Sequence, residues 1–112
     1  QRQLIEKGLP WEKAKAFDSS AVLGKFLFKE ELGDMGQIRF SLKRNGEVVQ
    51  SGDSQLMIFS FDTIIEHVSK FVTLKIGDLI YTGTPAGVGP VAIGDSLEGF
   101  IGEKKMFDIQ VK

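Results

Sequence analysis

Two periods divide the chain. From Ile38 the apolar positions alternate, with Ile38, Phe40 and Leu42 separated by Arg39, Ser41 and Lys43. A period of two is that of a half-buried strand, whose successive side chains face opposite ways. Asn45-Gly46 comes next, then Glu47-Val48-Val49-Gln50. This predicts a β-hairpin closed by an Asn-Gly turn. From Phe61 the spacing changes: Phe61, Ile64, Ile65, Val68, Phe71 and Val72 fall at i, i+3, i+4, i+7, i+10 and i+11. They form the apolar stripe of an amphipathic helix, capped by Ser60 or Asp62 and running to about Phe71. Alternation returns at the end, where residues 97–101 and 106–111 predict a second hairpin across Gly102-Glu103-Lys104.

The remaining segments are less regular. Residues 2–7 read as a helix tail stopped by Gly8 and Pro10. Trp11 to Lys15 is too short to hold a helix alone, so a loop with one turn is expected. A short strand is predicted at residues 25–28, and a turn at residues 29–32 ended by Gly33. Ile76-Gly77-Asp78 and Ile93-Gly94-Asp95 echo each other as turns that start strands. The sum is five or six strands and one substantial helix, a mainly β domain with a packed α-helix (α+β).

Composition narrows the chemistry. A length of 112 residues suits one domain with a modest core. The net charge of −1 gives no electrostatic case for nucleic acid or an anionic membrane surface. No apolar run approaches the roughly 20 residues of a membrane span. The absence of cysteine excludes disulfides and thiolate metal sites. The single histidine, His67, falls on the polar side of the predicted helix, beside Thr63, Glu66 and Lys70. The opening Gln1-Arg2-Gln3 lies in mid-pattern, so the chain is expected to be the C-terminal part of a longer one.

One stretch carries chemistry. Leu79, Ile80 and Tyr81 read as a strand, and Thr82-Gly83-Thr84-Pro85-Ala86-Gly87-Val88-Gly89-Pro90 follows. Glycines allow close backbone approach and prolines remove N–H groups. Such a loop offers the hydroxyls of Thr82 and Thr84 and bare peptide N–H groups, a fit for a carboxylate or keto acid. It is equally a turn rich in punctuation residues. No Lys-Ser/Thr follows the glycines, so the phosphate-loop pattern fails, and no His-Glu-x-x-His or Gly-x-Ser-x-Gly is present. Lys15, between Ala14 and Ala16 and near Phe17, either snorkels to solvent or points into a site.

Taken together, Gly8-Leu9-Pro10-Trp11-x-x-Ala14-Lys15-x-Phe17-Asp18, the Asn45-Gly46 hairpin and Gly77-Asp78-Leu79-Ile80-x-Thr82-Gly83-Thr84-Pro85-x-Gly87-Val88-Gly89-Pro90 resemble the fumarylacetoacetate hydrolase family. The similarity is to its smaller members, among them acylpyruvases, fumarylpyruvate hydrolases and oxaloacetate decarboxylases, and runs the length of the chain. It implies a mixed β-roll, incomplete at its N-terminal side, with residues 1–112 as the C-terminal portion of a single catalytic domain. It also implies a cytoplasmic, homodimeric enzyme of aromatic catabolism that breaks, isomerises or decarboxylates at a C–C bond beside a 2-oxo group. The substrate would be a 2-oxo or 2,4-dioxo acid.

The resemblance also implies roles. Lys15 is the lysine that points at the site. Thr84, with Gly83 and Pro85, holds the substrate carboxylate. Gln1 matches a substrate-contacting glutamine. Glu98 stands near the position of a glutamate that orients a histidine in larger members, and is otherwise an outward-facing strand residue. The implied cofactor is Mg²⁺ or Mn²⁺. Its ligands, a Glu-x-Glu pair and a later Asp, belong upstream of Gln1, so no metal ligand is expected in this chain. The alternative is a truncated, inactive β-rich binding module.

Overall fold

Asn45 and Gly46 take φ of 51° and 84°, the left-handed pair required by the two-residue turn whose twist matches a hairpin. In this computed structural model, which describes residues 1–112, the turn closes strand β1 (Arg39–Arg44) on β2 (Glu47–Asp53). β3 (Ser96–Ile101) and β4 (Lys104–Gln110) form the second predicted hairpin. The two hairpins join through β1 and β3 into one antiparallel sheet of order β2-β1-β3-β4.

Asn45 does more than turn the chain. Its side-chain amide donates to Asp95 Oδ1 at 2.8 Å and its carbonyl Oδ1 accepts from the Ser96 amide at 2.9 Å. The turn of the first hairpin is thereby stitched to the start of the second. Asp95 also accepts the Ala92 N–H at 2.9 Å. These donors, with Arg44 nearby, hold its carboxyl below the ordinary aspartate range. The Ile76-Gly77-Asp78 turn is built the same way, with the Lys75 N–H donating to the Asp78 carboxylate at 2.7 Å. Only the Ile93-Gly94-Asp95 turn starts a strand.

Cross-strand partners share a face. Phe40, Leu42, Leu97, Gly99, Ile101, Phe107 and Ile109 therefore lie on one side, and Lys43, Glu98, Phe100, Lys105 and Asp108 on the other. On the apolar side the Phe40 ring lies across Gly52 and the Phe107 ring across Gly99, so that a Cβ at either glycine would overlap the ring. Met106, the extra residue of a bulge in β4, is 7% exposed, and only Ser54 and Gly99 are comparably buried. The accessible surface of 9412 Å² is well above the about 6,100 Å² of a folded monomer of this mass.

The helices follow local rules. α1 (Arg2–Glu6) ends before Gly8, and the one-turn segment Glu12–Ala14 is three residues of 3₁₀ helix. α2 (Lys29–Leu32) starts where the Glu31 carboxylate accepts the Phe28 N–H at 2.8 Å, and stops at Gly33 with φ 70°. α3 (Phe61–Ser69) is capped by Ser60, whose hydroxyl accepts the Thr63 N–H at 3.2 Å. Its stripe residues Phe61, Ile64 and Val68 are half-buried, and His67 is exposed, its ring 5.2 Å from that of Phe71.

The strand count is four, not five or six. Residues 25–28 form no strand: Lys25 donates to the Met106 carbonyl at 2.9 Å and the ladder goes no further. Gly24 lies so close to β4 that a Cβ there would sit 2.6 Å from the same carbonyl. Residues 79–81 join no ladder, because no backbone group in the chain hydrogen-bonds to their N–H and C=O groups. Alternation and apolar content give an extended backbone; a ladder also needs a partner.

Two outcomes follow. Gly99→Ala forces the Phe107 ring off the sheet and is expected to cost about 1–3 kcal/mol in chemical denaturation; a loss near zero would contradict the packing. For Asp95 the folded pKa is lowered, so its contribution is present above the unfolded value and is lost as pH falls through the depressed one. Wild type should therefore exceed Asp95→Asn in stability at neutral pH. The gap should close below the ordinary aspartate range, and a gap that widens with acid would contradict this.

Candidate functional site

The loop after Tyr81 lies on the apolar side of the sheet, against β1 and β2. It has no strand pairing to shape it, and three attachments do so instead. Gln50 is the first. A bulge in β2 places Val49 out of register and sets Gln50 opposite Leu42. Its Nε2 donates to Thr84 Oγ1 at 2.9 Å and to the Pro85 carbonyl at 3.0 Å, with the Ala86 carbonyl at 3.5 Å. The second is Arg44, whose Nη1 donates to the Pro90 carbonyl at 2.7 Å. The third is backbone contact: at Gly87, with φ of 101°, a Cβ would overlap the Val49 carbonyl. Beneath the arch is a cavity of about 440 Å³, lined by Leu42, Val49, Gln50, Gly87, Val88 and Leu97 among others.

The arch leaves donors free. The amides of Thr82, Gly83, Thr84, Ala86, Gly87, Val88 and Gly89 donate to no acceptor in the chain. Gly83 has φ of 104°, closed to most side chains, so the backbone there is bare. Peptide N–H groups carry a partial positive charge, and several facing one region attract an anion. The Thr84 hydroxyl lies in the same run, so this wall of the loop offers neutral donors and no charged side chain.

The other expected site residues stand apart from this wall. Lys15 ends the 3₁₀ turn and is exposed; its amide donates to Glu12 and its ammonium forms no hydrogen bond or ion pair. Gln1 caps α1 through its carbonyl, which accepts from Leu4 and Ile5, while its side chain is unengaged. Neither touches Thr84. The front of the chain reaches the loop stretch through the Tyr81 hydroxyl, which donates to the Val22 carbonyl at 3.3 Å.

Glu98 stands on the other face of the sheet. Lys43 pairs with Glu98 and Leu42 with Gly99, so Glu98 projects from the face opposite Gln50 and the loop. There its carboxylate is bound by Lys105, which also reaches Asp108 at 3.1 Å. The two carboxylates raise the Lys105 pKa above the ordinary lysine range. Lys43 lies 4.9 Å over the Phe100 ring beside them. Glu98 thus sits in a surface charge cluster, on the face away from Thr84. No group of three or more Asp, Glu or His side chains converges as a metal would need, so the residues present do not fit a metal centre of their own. No helix is long and apolar enough to cross a membrane.

Gln50 and Arg44 were not among the sequence candidates. A faint sign existed, since Gln50 is a polar residue in a strand next to two valines. Its facing depends on the bulge, which the pattern does not mark.

Comparison with known proteins gives this geometry a context. The family model described as fumarylacetoacetate (FAA) hydrolase C-terminal matches residues 1–110. The chain is 48% identical over 101 residues to oxaloacetate tautomerase FAHD1, mitochondrial, of Mus musculus, covering 90% of this chain and 46% of that protein. It is 47% identical over 98 residues to oxaloacetate tautomerase YcgM of Escherichia coli K12, covering 87% and 45%. The crystal structure of a fumarylpyruvate hydrolase from Pseudomonas aeruginosa, in complex with Mn²⁺ and pyruvate, superposes with a TM-score of 0.88 at 37% identity. That match covers 99% of this chain and 48% of the hydrolase. The chain spans about half the length of the curated relatives it matches.

Two of the three loop glycines separate the attachment from the mere presence of glycine. Gly87→Ala meets both a closed φ and the Val49 carbonyl, and is expected to destabilise by about 1–3 kcal/mol. Gly89 has nothing within 4 Å of a Cβ, and Gly89→Ala should stay within about 0.5 kcal/mol of wild type. Denaturation midpoints that do not separate the two variants would contradict the arch geometry.

Proposed function

This chain belongs to the fumarylacetoacetate hydrolase family, and we propose that the polypeptide carrying it acts on 2-oxo or 2,4-dioxo acids whose carboxylate is held at the Gly83-Thr84-Pro85 loop. The reaction is hydrolysis, isomerisation or decarboxylation at the carbon beside the 2-oxo group. The observation that carries this reading is the arched loop itself, which presents the Thr84 hydroxyl among amides with no partner in the chain. A carboxylate has two oxygens and accepts several hydrogen bonds at once; donors already fixed in place lose little entropy on meeting it. The relatives are compatible with this. Oxaloacetate and fumarylpyruvate, named for them, both carry a carboxylate next to a 2-oxo group.

The chain's own residues then divide the work. Thr84 and the loop amides bind and orient the carboxylate. The 2-oxo oxygen gains negative charge as an enolate forms, and a cation aimed at it is stabilising in proportion to that charge. Lys15, with an ammonium free of any partner, is assigned that role, and Gln1 a further substrate contact. A divalent cation, Mg²⁺ or Mn²⁺, is assigned to residues outside this segment. So is the water or proton transfer that separates the reaction types. Residues 1–112 are then the C-terminal portion of one catalytic domain. The large exposed apolar surface, including Leu79, Ile80 and Tyr81, supports a segment that works packed against further protein, and a homodimer of the whole enzyme is consistent with it. A cytoplasmic setting is part of this reading, whereas the mouse relative is named as mitochondrial.

The test is turnover by the full-length polypeptide with Mg²⁺ or Mn²⁺ on oxaloacetate and on an acylpyruvate. Thr84→Val and Lys15→Met are each expected to lower kcat/KM by about tenfold or more. Unchanged kcat/KM in both variants would overturn the site, and no turnover of any 2-oxo acid would favour an inactive binding module.

A further inference from the structure

We propose that Gln50 is a positioning residue that fixes the direction of the Thr84 proton, so that the hydroxyl is a committed donor to the substrate carboxylate. This rests on the carboxylate-binding reading of the loop.

The argument begins with the orientation of the Gln50 amide. Two of its neighbours, the Pro85 and Ala86 carbonyls at 3.0 and 3.5 Å, can only accept. A side-chain oxygen placed there would repel both, so the NH₂ end must face the loop. Thr84 Oγ1, 2.9 Å from the same nitrogen, then receives a hydrogen bond and cannot give one back. A hydroxyl has a single proton, and one lone pair of Thr84 is taken. The proton is therefore turned away from Gln50, toward the open side of the loop. Without Gln50 the hydroxyl rotor could spend its proton on a backbone carbonyl of the loop.

Two features make the arrangement rigid. Gln50 is half-buried on a strand paired with Leu42, so its reach is set by the sheet. Arg44 holds the far end of the loop at Pro90. Gln50 acts through Thr84, to which it is hydrogen-bonded, rather than on the substrate itself.

The experiment is a double-mutant cycle in the full-length protein with Mg²⁺, measuring the oxalate dissociation constant by calorimetry and kcat/KM for a 2-oxo acid. The variants are Thr84→Val, Gln50→Leu, Gln50→Glu and the double variant Gln50→Leu with Thr84→Val. Thr84→Val and Gln50→Leu are each expected to weaken oxalate about fivefold or more. The double variant should bind no worse than the weaker single variant, since both remove one interaction. Gln50→Glu keeps the length and can still meet Thr84, but its carboxylate takes the Thr84 proton. Its carboxylate also repels the Pro85 and Ala86 carbonyls, so it should melt no higher than wild type and weaken oxalate at least as much as Gln50→Leu. If Thr84→Val weakens oxalate while Gln50→Leu and Gln50→Glu do not, or if the two effects multiply in the double variant, the positioning role is overturned and the carboxylate site survives. If Thr84→Val itself binds oxalate as wild type does, the carboxylate site fails and the Gln50 role fails with it.

Discussion

A loop without a ladder takes its shape from whatever holds its ends and its middle. Between Tyr81 and Pro90 the backbone pairs with no strand. The Gln50 amide, the Arg44 guanidinium and the Gly87 contact with Val49 hold it instead. Each attachment comes from the first hairpin, and each requires the register set by the Asn45-Gly46 turn and the bulge after it. A one-residue slip would turn Gln50 to the charged face and leave Thr84 unheld. The shape of the loop is thus a consequence of a hairpin nearly forty residues earlier in the chain.

The sheet also separates two kinds of polar chemistry. On one side, neutral donors are left without partners at an exposed loop. On the other, Glu98, Lys105 and Asp108 satisfy one another. A paired and solvated carboxylate is stable where it stands and is poorly placed to bind an anion or move a proton. Free N–H groups held by a rigid frame are the opposite case: they gain when an oxygen-rich ligand arrives. This difference, more than residue type, supports the proposal that Thr84 meets the substrate.

Much of the fold was legible in the pattern. The alternation at Ile38, Phe40 and Leu42 and the Asn-Gly pair gave β1 and β2, and the 3.6-residue period gave α3 with its Ser60 cap. Those features are local, and local rules decide them. The strands expected at residues 25–28 and 79–81 did not form because strand identity depends on a partner, which composition does not supply. The loop was recognisable from its glycines and prolines, and Thr84 from the family motif. Gln50 was not, because a bulge at Val49 changes which face it occupies and the sequence Val-Val-Gln fits either register. The face that Glu98 occupies was not legible for a related reason. Its spacing from the loop was compatible, but the face it occupies is fixed by pairing with Lys43.

The central claim is that the Thr82–Pro90 arch binds a carboxylate through its own amides and the Thr84 hydroxyl. The most direct measurement is an amide chemical-shift titration of the full-length protein with oxalate in the presence of Mg²⁺. The account predicts that the largest shifts fall on Gly83, Thr84, Ala86 and Gly87 and on the Gln50 side-chain NH₂, with Glu98 and Lys105 unmoved. Shifts centred on the Glu98 face, or saturation with the loop amides unchanged, would contradict it.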